Sequence, residues 1–422
     1  MKYLYLLRIS FFFFIFSLTL HQLAIFEISK NMTIRLSELF FLFLIFTFIF
    51  NFFNMKIKIY FSKLDLILFL FPVLSFLHII IFKDMSSIVG LIISIYSFLI
   101  YFLFKTYLLN FGKKEILNFL ILSAFIASLT SIIGWILIQF GIHNMLVLAY
   151  DYPIYIGEPG RSKALFETPN SLLIFLMFPT LILLQRWYNL KNLKNSLILI
   201  VVFLGCFFTF SKSNVLLASL VLFLVSNFFN INILRYFLRF LGFLFILIYL
   251  FFSHYLVLNK NSNNFEKYTT TWFVAEDYKS LIDYNNLVII PSNYIETKKK
   301  NLELFKKKPL FGNGFNSYTN FSSKKVPHET GKPHSTYFGY LSEFGLIGFL
   351  VILLTFIYIF NINRSQKFKT NFLFLFSIYI IIEALNADLM TSRIIWIFFA
   401  YSEFISINTN KKYEAKKIYS FR

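Results

Sequence analysis

The sequence predicts an all-α, polytopic integral membrane protein with about twelve transmembrane helices and one long polar loop between the ninth and tenth. Three observations carry this. Of 422 residues, 58% are hydrophobic and only 14% charged, against about half and a quarter in a soluble domain. The apolar residues are gathered into long runs such as Phe40–Phe53, Leu66–Phe82 and Leu241–Leu256. The period-2 alternation of a membrane barrel is absent. In lipid every backbone N–H and C=O must be paired within the segment, so such runs read as helices.

Taken in order, the runs place spans at about 9–27, 36–54, 64–82, 86–104, 115–141, 170–185, 196–211, 213–229, 235–258, 334–360, 370–385 and 389–408. The chain therefore divides into a first helical part, 1–258, a loop, 259–333, and a second helical part with a tail, 334–422. The first span follows Lys2 and Arg8 like a secretion signal, but no small-residue cleavage site comes after it, so it reads as an uncleaved helix. Spans seven and eight are parted only by Ser211-Lys212-Ser213, a tight charged turn. Within the loop, Tyr268–Tyr284 and Tyr294–Lys308 carry apolar residues at three- and four-residue spacing and read as short amphipathic helices, the second stopped by Pro309.

The formal net charge of +20 does not point to nucleic acid, because the cations sit between the apolar runs, where topology signals belong. With a cytoplasmic N-terminus, 21 of the 40 Lys and Arg fall inside, 7 in short outer segments and 12 in the long loop, which is too long to obey the rule. This asymmetry predicts an inner-membrane protein with both termini cytoplasmic. It also puts Gly141–Pro169, the Lys212 turn and the long loop together on the periplasmic face. The abundant Phe, Lys and Asn look like translated AT-rich coding sequence, which weakens inference from any single one of them. Cys206, the lone cysteine, lies in an apolar run and forms no intrachain disulfide.

The segment richest in chemistry is Lys308-Pro309-Leu310-Phe311-Gly312-Asn313-Gly314-Phe315, then Pro333-His334-Ser335-Thr336-Tyr337, then Leu341-Ser342-Glu343-Phe344-Gly345-Leu346-Ile347-Gly348. A Gly-Asn-Gly turn exposes backbone N–H groups that can face an anion, which makes Gly312 and Gly314 candidates. His334 stands where the loop re-enters the membrane, and an imidazole there can exchange protons with a hydroxyl near neutral pH. Without its flanks the same segment is an ordinary turn and a solvated histidine.

This order of motifs resembles the signature of the O-antigen ligase and polymerase family. Gly160–Asn170 is similar to that family's arginine-to-Pro-Asn approach to a central helix, and Thr209-Phe210-Ser211-Lys212-Ser213 to its Thr-x-Ser-Arg-Gly turn. The likeness covers roughly residues 155–350. It departs from the pattern where Lys212 stands for arginine, which loses the bidentate fork, and where Ser213 stands for glycine. The resemblance implies a glycan donor linked to undecaprenyl diphosphate, with His334 as catalytic base or acid and Arg161 and Lys212 on the diphosphate; Arg393 is a further candidate there, or an interface anchor beside Asp388. It further implies transfer to lipid A–core by a ligase or, as the alternative, to a lipid-linked repeat unit by a polymerase. Direct attack by the acceptor hydroxyl would be inverting. No Asp-x-Asp pair is present and Asp277 and Asp283 are isolated, so a metal-independent reaction without cofactor is expected.

A lipid-linked glycan flippase or transporter is the competing class, expected to show inverted repeats and midplane charges. A protein O-glycosyltransferase and a non-catalytic assembly subunit follow behind. Among other polar residues, His328 and Glu329 read as solvated loop or as support for His334, and Asp65 as lying near the inner end of its span. Glu383 reads as an intramembrane carboxyl with a functional or a helix-bridging role, and His78 and His254 as packing residues.

Overall fold

A computed structural model describes residues 2–20, 24–29, 32–55, 57–82, 85–148, 160–260, 281–319, 334–364 and 372–419. His328, Glu329 and Asp277 lie outside these residues. The described helices are α1 (Lys2–Ser17), α2 (Leu36–Met55), α3 (Lys63–Phe82), α4 (Met85–Phe111), α5 (Lys114–Gln139), α6 (Pro169–Leu190), α7 (Leu193–Phe207), α8 (Ser213–Ser226) and α9 (Asn232–His254). They continue with α10 (Asn293–Lys307), α11 (Thr336–Arg364), α12 (Phe372–Glu383) and α13 (Arg393–Tyr419). Among the described residues, seven helices (α2–α6, α9 and α11) are long and apolar enough to cross a membrane, and α1, α7, α8 and α12 are shorter apolar helices. The chain is a multi-pass membrane protein.

Several ends differ from expectation. The first helix runs over Lys2–Ser17 rather than 9–27, and the chain then forms an antiparallel pair, β1 (Ala24–Ser29) with β2 (Met32–Arg35). Helix α4 continues past 104 to Phe111 and so absorbs Lys105, whose buried Nζ donates to the Tyr60 carbonyl at 2.8 Å. Helix α9 ends at His254, not 258, because Tyr255–Asn259 leaves as strand β5. Strand β5 pairs with β7 (Leu287–Pro291), and β7 with β6 (Ile282–Tyr284), so the end of the expected helix Tyr268–Tyr284 is a strand. A two-residue loop, Asn285-Asn286, closes that hairpin with Asn285 left-handed (φ 52), a conformation asparagine tolerates. Lys260 pairs with Asp283 at 2.5 Å, across the end of this sheet.

The chain falls into two compact units. The first comprises 1–60, 101–214 and 392–422. In it α1 packs on α2 and α5, with Phe11 edge-on to Phe104 at 4.9 Å between ring centroids. Helix α6 is apolar nearly all round and buried along Leu172–Leu184, which makes it the core helix of this unit. The second comprises 61–100 and 215–391. There α11 packs against α3 and α10, and the small sheet closes over Val288 and Ile290. Many large apolar side chains stay exposed on α9, among them Phe237, Phe240 and Phe243, as on a lipid-facing helix.

Candidate functional site

In the second unit the motif segments meet around a break in α11. Gly345 has φ 68 and ψ −161, so the helical ladder stops there and leaves carbonyls and N–H groups of adjoining turns without helical partners. The loop Pro309–Gly314 supplies them. Asn313 N donates to Ser342 O (3.0 Å), Gly314 N to Glu343 O (3.0 Å), and Leu346 N to Pro309 O (2.8 Å). His78 Nε2 meets Phe311 O at 2.9 Å, and its ring stacks on Phe344 at 4.7 Å. Gly312 (φ 73) and Gly345 touch backbone to backbone: a Cβ on Gly312 would strike the Glu343 carbonyl and Gly345 N, and one on Gly345 would strike Leu310 O and Gly312 N.

This corrects the role expected of Gly312 and Gly314. Gly312 N donates to Lys308 O within the loop and Gly314 N to Glu343 O across the crossing, so both N–H groups are already engaged and do not await an anion.

His334 lies just before α11 with its backbone left-handed (φ 45), a conformation costing a residue with a Cβ about 1 kcal/mol or more. The residues after it hold it there. Ser335 Oγ donates to Ala384 O (3.0 Å) and Thr336 N to the Ala384 and Ala387 carbonyls (2.9 and 3.0 Å). Thr336 Oγ1 donates to Ala387 O and accepts from Leu389 N, both at 2.9 Å. The His334 ring meets Tyr294 of α10 edge-on at 5.4 Å. An imidazole on a half-buried, strained and pinned backbone is positioned rather than floppy, a pattern found at functional sites.

One turn along α10 is a residue that sequence reasoning passed over. Lys298 is 9% exposed; its Nζ bonds to His254 Nε2 and donates to Asn386 Oδ1 at 3.0 Å. His254 Nδ1 lies 2.7 Å from Leu250 O, which can only accept, so Nδ1 carries the proton and Nε2 receives the Lys298 bond. Asn386 Nδ2 donates to the Tyr249 hydroxyl (3.1 Å), which donates to Glu383 Oε2 (2.6 Å). His254 and Glu383 are thus hydrogen-bonded members of one chain. Burial pushes the Lys298 ammonium down to about 8. The only sequence signal was a lysine on the apolar side of an amphipathic helix.

In the first unit, Arg161 and the Lys212 turn lie together. Strand β4 (Arg161–Ser162) pairs with β3 (Val147–Leu148), and Ser162 N donates to Phe208 O at 2.9 Å. Arg161 Nε donates to Thr209 O (3.1 Å) and Nη2 to Asn170 Oδ1 (3.0 Å), an atom that also accepts from Ser211 Oγ (2.8 Å). Thr168 caps α6 by accepting from Ser171 N, with Pro169 beginning the helix, which fixes Asn170. The stretch between α7 and α8 is longer than the expected three-residue turn: it takes in Phe208–Lys212, with Phe210 left-handed (φ 43). Lys212 is half-buried and pushed down to about 8, first by burial and then by the positive charge of Arg161. Burial also lowers Lys163, against the opposing pull of Glu167. Two cations held this close favour an anion between them. Arg393 donates to Glu38, whose other oxygen accepts from Arg35 N at 2.7 Å.

Comparison with known proteins gives one family. Residues 197–353 match the family model described as O-antigen ligase, a span that includes Lys212, the Gly312–Gly345 crossing and His334 but not Arg161 or Arg393. No curated protein matches the chain. Members of that family are membrane glycosyltransferase-like enzymes of the O-antigen ligase and polymerase type. Over residues 197–353, this multi-pass membrane chain is similar to the O-antigen ligase family.

Proposed function

We propose that the protein transfers a glycan from undecaprenyl diphosphate to an acceptor hydroxyl on lipid A–core, at the periplasmic face of a bacterial inner membrane. The observation that carries this is His334, pinned in a strained conformation inside the segment that matches the family. His334 accepts the proton of the acceptor hydroxyl as its oxygen attacks the anomeric carbon. The bond from that carbon to the diphosphate breaks, the configuration inverts, and the electron pair leaves on the diphosphate. Arg161 and Lys212 stabilise the departing charge, which matters more than acid assistance for so good a leaving group. Arg393 contributes at most to the field there, because its guanidinium already serves Glu38.

The orientation rests on the distribution of 21 inner against 7 outer cations, which puts both termini in the cytoplasm and requires an even number of crossings, twelve if α1–α9 and α11–α13 each make one. Polymerisation of lipid-linked repeat units is the second reading, since the family match includes it. The test is a strain carrying only His334→Ala or Arg161→Ala at normal membrane levels. Surface glycan should be lost in both, and normal glycan in the His334→Ala strain sinks the assignment. Carrier-linked long chains with bare lipid A–core identify the ligase; lipid A–core bearing a single repeat identifies the polymerase.

A further inference from the structure

Away from these residues, the first unit holds a groove of about 1070 Å³ between α5, the end of α6 and α7. Its walls are apolar, with Ile121, Phe125 and Leu197 among them, while Lys114, Arg186 and Lys194 stand at one end. Among the described residues none of the three has a carboxylate partner; Arg186 Nη2 is turned by Asn118 Oδ1 at 3.1 Å. At the same end lies Asn195, in the first turn of α7, only 7% exposed and with its Nδ2 donor lacking a hydrogen-bond partner. A buried donor without a partner asks for an acceptor. A helix N-terminus, three cations and that donor make a site for a phosphate.

The shape selects what carries the phosphate. From Lys114 to Phe125 the α5 wall runs for about 16 Å at ~1.5 Å per residue, close to half of a ~30 Å hydrocarbon core. Charge at one end and one leaflet's depth of apolar wall fit a lipid, not a soluble anion. We propose that this groove binds an anionic phospholipid, its phosphate at Arg186, Lys194 and Asn195 and an acyl chain along Ile121, Phe125 and Leu197. Under the proposed orientation the lipid belongs to the inner leaflet, opposite to the transfer chemistry; the binding itself does not depend on that orientation. Basic pockets between transmembrane helices are known to select such head groups.

The test uses the full chain purified in detergent and native mass spectrometry with phosphatidylglycerol and phosphatidylcholine of identical chains. The wild type should retain phosphatidylglycerol preferentially. The Arg186→Gln/Lys194→Gln double variant should bind it on the order of 30-fold more weakly, about 2 kcal/mol at ~1.4 kcal/mol per tenfold. Lys191→Gln, which removes a neighbouring cation that does not line the groove, should leave retention unchanged and so controls for general surface charge. Equal retention of the two lipids overturns the proposal, as does a double variant that keeps the wild-type preference. Displacement of phosphatidylglycerol by glycerol phosphate as readily as by the intact lipid also overturns it. Normal surface glycan in the His334→Ala strain overturns only the proposed function, so the two fail separately.

Discussion

Gly312→Ala and Gly112→Ala make the same chemical change in the same backbone region, and the structure predicts very different results. Both glycines have positive φ, 73 and 86, so each alanine incurs a left-handed penalty of about 1–2 kcal/mol. Nothing lies within 4 Å of a Cβ on Gly112, and the penalty ends there. A Cβ on Gly312 meets the backbone of Glu343 and Gly345, which has no rotamer to yield with. The loop must withdraw, and the bonds from Asn313 N, Gly314 N and Leu346 N then break. At roughly 1–3 kcal/mol for each buried group left unpaired, the total for Gly312→Ala is about 5 kcal/mol or more. With about 2–4 °C of melting temperature per kcal/mol, detergent-solubilised Gly312→Ala should melt at least ~10 °C lower, and Gly112→Ala only a few degrees lower. Gly345→Ala should resemble Gly312→Ala, and the double variant should cost far less than the sum because one crossing is lost once. Equal shifts for Gly312→Ala and Gly112→Ala would refute the crossing.

Two further outcomes follow from the lysines. If Lys212 contacts the diphosphate as an ammonium, kcat/KM for transfer should fall as pH rises through about 8, and Lys212→Arg should hold it to higher pH; identical profiles for wild type and variant contradict the contact. Lys298, held down to about 8 when folded against an ordinary 10.5, destabilises the fold by about 3 kcal/mol below pH 8, and that cost fades as pH rises toward 10.5. Stability in detergent should therefore climb between pH 8 and 10 and flatten in Lys298→Met; an unchanged slope would show that the ammonium is not buried as described.

Seven of the spans were legible because about twenty apolar residues leave a chain no other way to satisfy its backbone in lipid. Their ends were not, where an apolar run serves two structures. Tyr255–Asn259 continues the hydropathy of α9 without a break, and only its pairing with Leu287–Pro291, some thirty residues on, makes it a strand. Lys2 and Arg8 placed the start of the first expected span at 9, yet α1 includes both. The motif around His334 was visible as residue types in order, but the partner of each glycine was not. A Gly-Asn-Gly turn looks alike whether its N–H groups face an anion or Ser342 and Glu343, and only the break at Gly345 creates the carbonyls that claim them.

The division of labour within that motif explains why Lys298 escaped notice and why it matters. The glycines join α10 to α11, and α10 brings two residues to the beginning of α11 at helical spacing: Tyr294 against His334, and Lys298 near Phe338, with Nζ 5.9 Å from the ring centroid. From Lys298 the donors all point one way, through Asn386 and Tyr249 to Glu383. Glu383 ends α12, and Asn386 sits between Ala384 and Ala387, whose carbonyls hold Ser335 and Thr336. A change along the chain is therefore linked to the seat of His334 by the 2.9–3.0 Å bonds of Ser335 and Thr336 to the Ala384 and Ala387 carbonyls. A histidine and a carboxyl that read separately in the sequence, as packing and as intramembrane, join Lys298 in one support for the residue proposed to act.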